Sequence, residues 1–241
     1  MIFDVIVSKH TQTNTHRTQQ KTEGKNMTRS ISDFEKRYGV HFTVKHTGKM
    51  EGMISVSTSV LANKHCIKRR AVKGSICEKC FAASMMSRYS NLEKCLEKNT
   101  EILTKEIIQV SEMPIINAAF FRFESFGDLN NDIQVINYFN MAKANKHTRF
   151  ALWTKNPFYI YSAIKKGHNK PRNLVIILSS PFINTVADVP IIYNFVDKVF
   201  TVYDRETAKN VNINCGARHC LSCLRCYKKT RNVEYVNEIL K

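Results

Sequence analysis

No apolar run in the sequence approaches the ~18 residues of a membrane-crossing helix, so no spanning segment is expected. The apolar opening from Met1 to Val7 lacks a basic lead and a small-residue cleavage site and carries an acid at Asp4, so it is not read as a signal peptide. Acidic residues are scarce. Only 20 Asp and Glu stand against 37 Lys and Arg, for a formal net charge of +17 and a pI near 9.6. That excess favours a polyanionic partner, nucleic acid or a phosphorylated cofactor, although anionic thiolate centres would offset part of it. With no export signal, a cytoplasmic and reducing setting is expected, where eight clustered cysteines mean metal or catalysis more often than disulfides.

The chain of 241 residues, with 43% hydrophobic content and a mean hydropathy of -0.30, can bury a sizeable core without disulfide staples. Nothing in it fixes an oligomeric state. Residues 1 to 30 are expected to be a disordered polar tail, because nothing apolar between His10 and Gly24 can anchor a core. Met27 stands just before the first patterned segment as a candidate internal start, which an intact mass of the natively expressed protein tests. Residues 31 to 204 read as one α/β domain, and residues 205 to 241 as a cysteine-rich segment packed on it.

From about residue 52, β-rich runs alternate with helical ones, the pattern of a βα-repeat fold with a mainly parallel sheet. The strand candidates are 53–57, 116–123, 150–153, 174–178 and 199–202. Helices are expected within 77–112, over 132–144 and over 157–166, the last opening on Pro157, whose missing N–H costs nothing in a first turn. An open sheet and a partial (β/α) barrel both fit; the barrel is preferred because every strand candidate ends in a polar loop of similar character. Function in such folds gathers at the carboxyl ends of the strands. Four of those ends carry reactive groups: Glu124, Ser125 and Asp128; Thr154 and Lys155; Ser179; and Asp204.

The cysteines fall into two constellations. Cys66, Cys77 and Cys80 form C-x10-C-x2-C; Cys215, Cys220, Cys223 and Cys226 form C-x4-C-x2-C-x2-C. Three thiolates on a cubane cluster leave one iron open, whereas four protein ligands close the centre. The quartet is too compact for two zinc knuckles, which need a spacer of ~12 or more residues, and suits the wrapped spacings of a ferredoxin-like cluster. Zinc remains as an alternative if Cys77 and Cys80 join Cys223 and Cys226 at one site. Cys95, at helical spacing with Leu92, Leu96 and Leu103, reads as a buried thiol. His65 and His219 adjoin cysteines and are left out of the ligand set. Lys64, Lys68, Arg69, Arg70 and Lys73 crowd the triplet, and Arg218, Arg225, Lys228, Lys229 and Arg231 the quartet; such cations are expected to lower thiol pKa values or to grip phosphates. Phe81 and Tyr227 are expected to give apolar cover to the centres rather than a stacking face.

The segments Gly48 to Gly52, Ser75 to Phe81, Phe121 to Leu129, Ala151 to Pro157, Val199 to Asp204 and Asn214 to Gly216 together resemble the phage gene product 88 family over about residues 45 to 241. That resemblance implies a protein of a bacteriophage or mobile element at work in the bacterial host cytoplasm. More distantly, the Cys77-x2-Cys80-aromatic ending, the βα repeats and the Thr154-Lys155-Asn156-Pro157 strand end are similar to radical S-adenosylmethionine proteins with partial barrels. In them three cysteines hold a [4Fe-4S] cluster whose open iron binds the methionine part of the cofactor. This chain departs from their usual C-x3-C-x2-C and has no glycine-rich cofactor strand after the cluster. The resemblance implies one or two clusters, with Cys66, Cys77 and Cys80 on the catalytic one. Glu124, Asp128, Lys155 and Asp204 would line the pocket in catalytic roles, and Ser125, Thr154 and Ser179 would help bind S-adenosylmethionine. A nucleotide or nucleic acid is the substrate that the charge suggests. The rival reading is a non-enzymatic nucleic-acid-binding protein whose zinc or cluster centres only hold basic loops in shape.

Overall fold

The runs of β-branched and aromatic residues become a sheet wound in one direction. The computed structural model describes residues 29–240, so the expected polar tail and Met27 lie almost wholly outside the described residues. In chain order the elements are α1 (Ile31–Tyr38), β1 (Phe42–Thr43), β2 (Ile54–Val56), α2 (Lys64–Arg70), α3 (Phe81–Arg88), α4 (Ser90–Lys105), β3 (Phe120–Phe123), α5 (Asp132–Ala144), β4 (Arg149–Thr154), α6 (Phe158–Lys165), β5 (Leu174–Ser179), β6 (Lys198–Tyr203), α7 (Cys220–Cys223) and β7 (Glu234–Ile239). The strands lie side by side in that same order, all parallel except the antiparallel β1–β2 pair. The α/β class with a mainly parallel sheet is as the sequence suggests. Because the order never reverses, right-handed crossovers place successive helices on the same face, the winding of a partial barrel rather than of a doubly wound sheet.

The packing follows that winding. Val56, Phe121, Phe123, Phe150, Leu152, Leu174 and Ile176 point to one face and bury against α1, α4, α5 and α6 through Phe34, Leu103, Phe139 and Ile160. Residues one step out of phase, Ala151, Val175 and Ile177, point to the opposite face, since side chains alternate along a strand. That second face meets no long helix. It is covered by the connection between β6 and β7, through Cys220, Leu224, Cys226 and Tyr227.

All five strand candidates form, and so do the helices expected over 132–144 and 157–166. Two expectations shift in detail. Pro157 is the N-cap of α6 rather than its first turn, and the stretch 77–112 holds α3, α4 and a short 3-10 turn. α2 forms where the sequence reads as a basic loop, because the Asn63 side chain caps it by accepting from the N–H groups of His65 and Cys66. Among the described residues no helix is long and apolar enough to cross a membrane.

Candidate metal centres and the strand-end network

The triplet stands at the carboxyl end of β2. Cys66 lies on α2 and Cys80 is the N-cap of α3. Both pack into one apolar cluster with Val60, Ala83, Met86, Leu96 and Phe126. The loop carrying Cys77 is pinned from across the barrel mouth. Ser75 Oγ accepts from the Cys77 N–H at 3.1 Å, and the Ile76 N–H donates to the Pro181 carbonyl at 2.9 Å. Cys66 is close enough to Cys77, Cys80, Asp128 and Glu124 for their charges to act on it, but burial is the main cause that pushes its thiol far up. Beside it, His65 Nε2 is buried and without a hydrogen-bond partner among the described residues.

The strand-end residues divide. Four join one network beside Cys66. Glu124 Oε1 accepts from Tyr138 Oη at 2.5 Å and Gln134 Nε2 at 2.6 Å, and Oε2 accepts from the Thr58 N–H at 3.1 Å. Asp128 Oδ1 accepts from Thr154 Oγ1 at 2.5 Å, and Oδ2 from the Lys155 N–H at 2.8 Å. Burial raises the Glu124 carboxyl to about 8, against the donors Tyr138 and Thr58, which favour its anion. Glu124 is thus enclosed rather than lining an open pocket. Ser125 turns the other way, its Oγ 3.1 Å from Ser55 Oγ and 2.8 Å from Ser57 Oγ. Ser179 is buried. Asp204 stays apart, accepting from Asn184 Nδ2 and the Thr207 N–H, bonds that hold its carboxyl below the usual range.

The quartet closes over the second sheet face. Cys215, Cys220, Cys223 and Cys226 line one pocket together with Lys49, Met53, Arg122, Trp153 and Tyr227. Cys215 is tied to the sheet edge by its N–H donating to the Asn237 carbonyl, and Leu224 turns the chain at a φ of 54° between Cys223 and Cys226. Lys49 Nζ lies 3.2 Å from Cys215 Sγ and 2.6 Å from Glu238 Oε1. Burial works against the Lys49 charge, yet Glu238 and Cys215 outweigh it and hold its pKa up at about 12. Burial also pushes up the thiols of Cys215 and Cys220, and that of Cys226 to about 12. The expectation that neighbouring cations would lower these thiols therefore fails at the buried positions, because desolvation exceeds the charge effect. A bound metal, which displaces the proton, would form the thiolates there.

Arg122 was not singled out in the sequence. Its guanidinium lies 3.9 Å over the Trp153 ring, its Nη1 meets only the sulfur of Met50, and its Nε is buried without a partner. No described carboxylate pairs with it. Strand alternation was the available signal, since a lone Arg between Phe121 and Phe123 must point to the face opposite theirs.

Cys66 and Cys80 pack in one apolar cluster and Cys220 and Cys226 in another. Among the described residues no three His, Cys, Asp or Glu side chains are grouped so as to hold a single metal ion. Cys95 is half-buried on α4, its thiol raised by burial. Tyr227 is buried, 5.3 Å from the Phe120 ring, whereas Phe81 is 70% exposed and covers nothing completely.

A sequence model of the gene product 88 family matches residues 8–235. The chain belongs to the gene product 88 family. The match begins well before residue 45, where the resemblance was first legible, so family membership extends into the polar N-terminal stretch. No curated protein and no solved structure matches the chain.

Proposed function

We propose that this gene product 88 family member is an iron–sulfur enzyme of phage or mobile-element origin. Cys66, Cys77 and Cys80 would hold a [4Fe-4S] cluster, and Cys215, Cys220, Cys223 and Cys226 a second. The observation that carries the reading is the Arg122 guanidinium, half-buried, with its Nε unpartnered and no carboxylate beside it, in a pocket lined by four half-buried cysteines. A desolvated cation needs a counter-charge, and thiolate-bound iron and sulfide supply one. A single tetrahedral zinc with bonds near 2.3 Å would need its sulfurs about 3.8 Å apart. Four cysteines within twelve residues, all lining one pocket, suit the compact wrapping of a cluster better.

The triplet supports the catalytic role because it sits where loops converge at the carboxyl ends of parallel strands. A cluster held by Cys66, Cys77 and Cys80 would supply an open iron and a reducing electron for S-adenosylmethionine. The chain's own residues do the rest. Asp128, fixed by Thr154 and the Lys155 N–H, orients the strand ends beside Cys66, while the Lys155 amine offers a cation to a carboxylate or phosphate. Enclosed Glu124 holds that scaffold rather than moving protons in the open. Asp204 bonds to Asn184 and Thr207 instead, outside this network. The substrate class that fits the net charge of +17 is a nucleotide or nucleic acid.

The test is an anaerobic preparation of the full chain analysed for iron, sulfide and zinc, then reduced with S-adenosylmethionine. Brown protein with near-stoichiometric iron and sulfide that cleaves the cofactor is the expected result. Colourless protein containing zinc would overturn it and leave a metal-stabilised, non-enzymatic binding protein.

A further inference from the structure

The surface around the triplet carries charge that nothing in the centres uses. α2 displays Lys64, Lys68 and Arg70 to solvent, and the loop beyond it adds Lys73 and Lys79. Among the described residues none of these cations has a carboxylate partner. A solvated helix normally intersperses acids that pair with its bases, and α2 has none in its seven residues. Next to this basic face, immediately after Cys80, stands Phe81, 70% exposed. Its ring centre is 6.1 Å from that of the half-buried Phe126, which leaves one face of the pair open.

We infer that this face, α2 with the loop to Cys80 and the Phe81 ring, is a binding track for single-stranded nucleic acid that leads a strand past the triplet. It deepens the functional reading above and rests on it for the chemistry, though not for the binding. Five exposed cations without carboxylate partners, on α2 and the loop that leads to an exposed ring, are the elements of a sequence-tolerant single-strand site, in which cations follow phosphates and the aromatic takes a base. A duplex fits less well. Its bases are stacked away from any ring, and a group to be modified inside it is out of reach until it is unstacked. A lipid surface fits less well too, since the exposed apolar side chains there, Ile67, Val72 and Phe81, are outnumbered by the five cations.

The experiment uses the full-length protein, with fluorescence anisotropy of labelled single-stranded DNA and RNA of equal length, their duplexes, and anionic phosphatidylserine vesicles, over a series of salt concentrations. The wild type is expected to bind single strands more tightly than duplexes or vesicles, and the DNA and RNA arms tell which strand is preferred. Lys64→Ala/Lys68→Ala/Arg70→Ala should lower the slope of log affinity against log salt by about 2, the loss of three phosphate contacts on a single strand. Phe81→Ala should weaken binding about tenfold with the slope unchanged, as the loss of one stacked base does. A control triple at the amino ends of the strands, Lys146→Ala/Arg149→Ala/Arg172→Ala, should leave both quantities as they are. Circular dichroism of each variant guards against misfolding. Equal binding of duplex or vesicles, or an equal fall in slope with the control triple, overturns the inference. Iron analysis of the same preparations separates the two readings. Iron-free protein that binds in the expected pattern sinks the cluster and keeps the track; iron-loaded protein that does not bind does the reverse.

Discussion

The two thiol groups of this protein share an element and differ in setting. The quartet lies under the sheet face that long helices leave bare, ringed by Trp153, Tyr227 and the unpaired Arg122, and it is the means by which the β6–β7 connection covers that face. The triplet lies at the strand ends, on α2 and at the start of α3, with exposed cations outside it and the Glu124 and Asp128 network inside. A four-thiol centre that also closes a core must be costly to lose. A three-thiol centre mounted on surface helices, as proposed for the triplet, would be lost with the core intact, and only there would a coordination position remain for a substrate or cofactor.

The largest expected effect follows directly. Cys226→Ser should remove about half of the bound iron and unfold the second sheet face, lowering stability by about 5 kcal/mol, or roughly 10–20 °C in Tm. Cys77→Ser should remove the other half at a cost of about 1 kcal/mol while abolishing cleavage of S-adenosylmethionine. Iron content and thermal unfolding of both variants, measured side by side, check the contrast. Equal losses of stability would erase the distinction between a closing centre and an open one.

Next in size is a change beside the triplet that touches no thiol. Gly127 has a φ of 92°, and a Cβ there would lie 2.4 Å from Glu124 Oε2 and 2.5 Å from the Thr58 carbonyl oxygen. Both the left-handed backbone and the backbone contact oppose any side chain. Gly127→Ala should therefore cost roughly 3 kcal/mol in chemical denaturation and loosen the network against which Cys66 packs. Iron bound by the quartet should be retained. Loss of both centres together would show that the two regions are not as separable as their packing implies.

How much of this was legible in the residues depended on whether a signal was local. The five main strands were, because runs such as Leu174–Ser179 are apolar on both faces and bury both. β7 was not. Its Glu234–Ile239 run is largely polar, and Val236 alone is fully buried, so only pairing with β6 makes it a strand. α1 carried readable signals, a Ser30 and Asp33 capping box and Gly39 at its end, but its eight residues follow a polar stretch that masks them. α2 had no apolar period to read. In the sites, the x2 spacings marked the cysteines, whereas the roles of Glu124 and Arg122 depend on partners from distant elements. Tyr138 and Gln134 of α5 turn a strand-end acid into a buried one, and the cover brought by residues 215–227 leaves a strand arginine half-buried with its Nε unpartnered.

That buried acid supplies the smallest expected effect and the finest distinction between the regions. The Glu124 carboxyl is raised to about 8 in the folded protein against about 4.5 when free. Between those values the native state holds a proton that the unfolded chain has released, so stability contributed here is complete below about pH 4.5 and is lost as pH rises towards 8. Glu124→Gln mimics the protonated acid and removes the titration. Relative to the wild type it should be less stable at pH 5 by about 1 kcal/mol, for the imperfect match of its amide to the Thr58 N–H, and should overtake the wild type well before pH 8, since each pH unit in that window costs the wild type about 1.4 kcal/mol. Denaturant unfolding of both proteins at pH 5, 6.5 and 8 measures the difference. Parallel curves would mean that Glu124 stays ionised throughout, its donors outweighing its burial, and that the triplet faces a fixed negative charge where the quartet faces a fixed positive one.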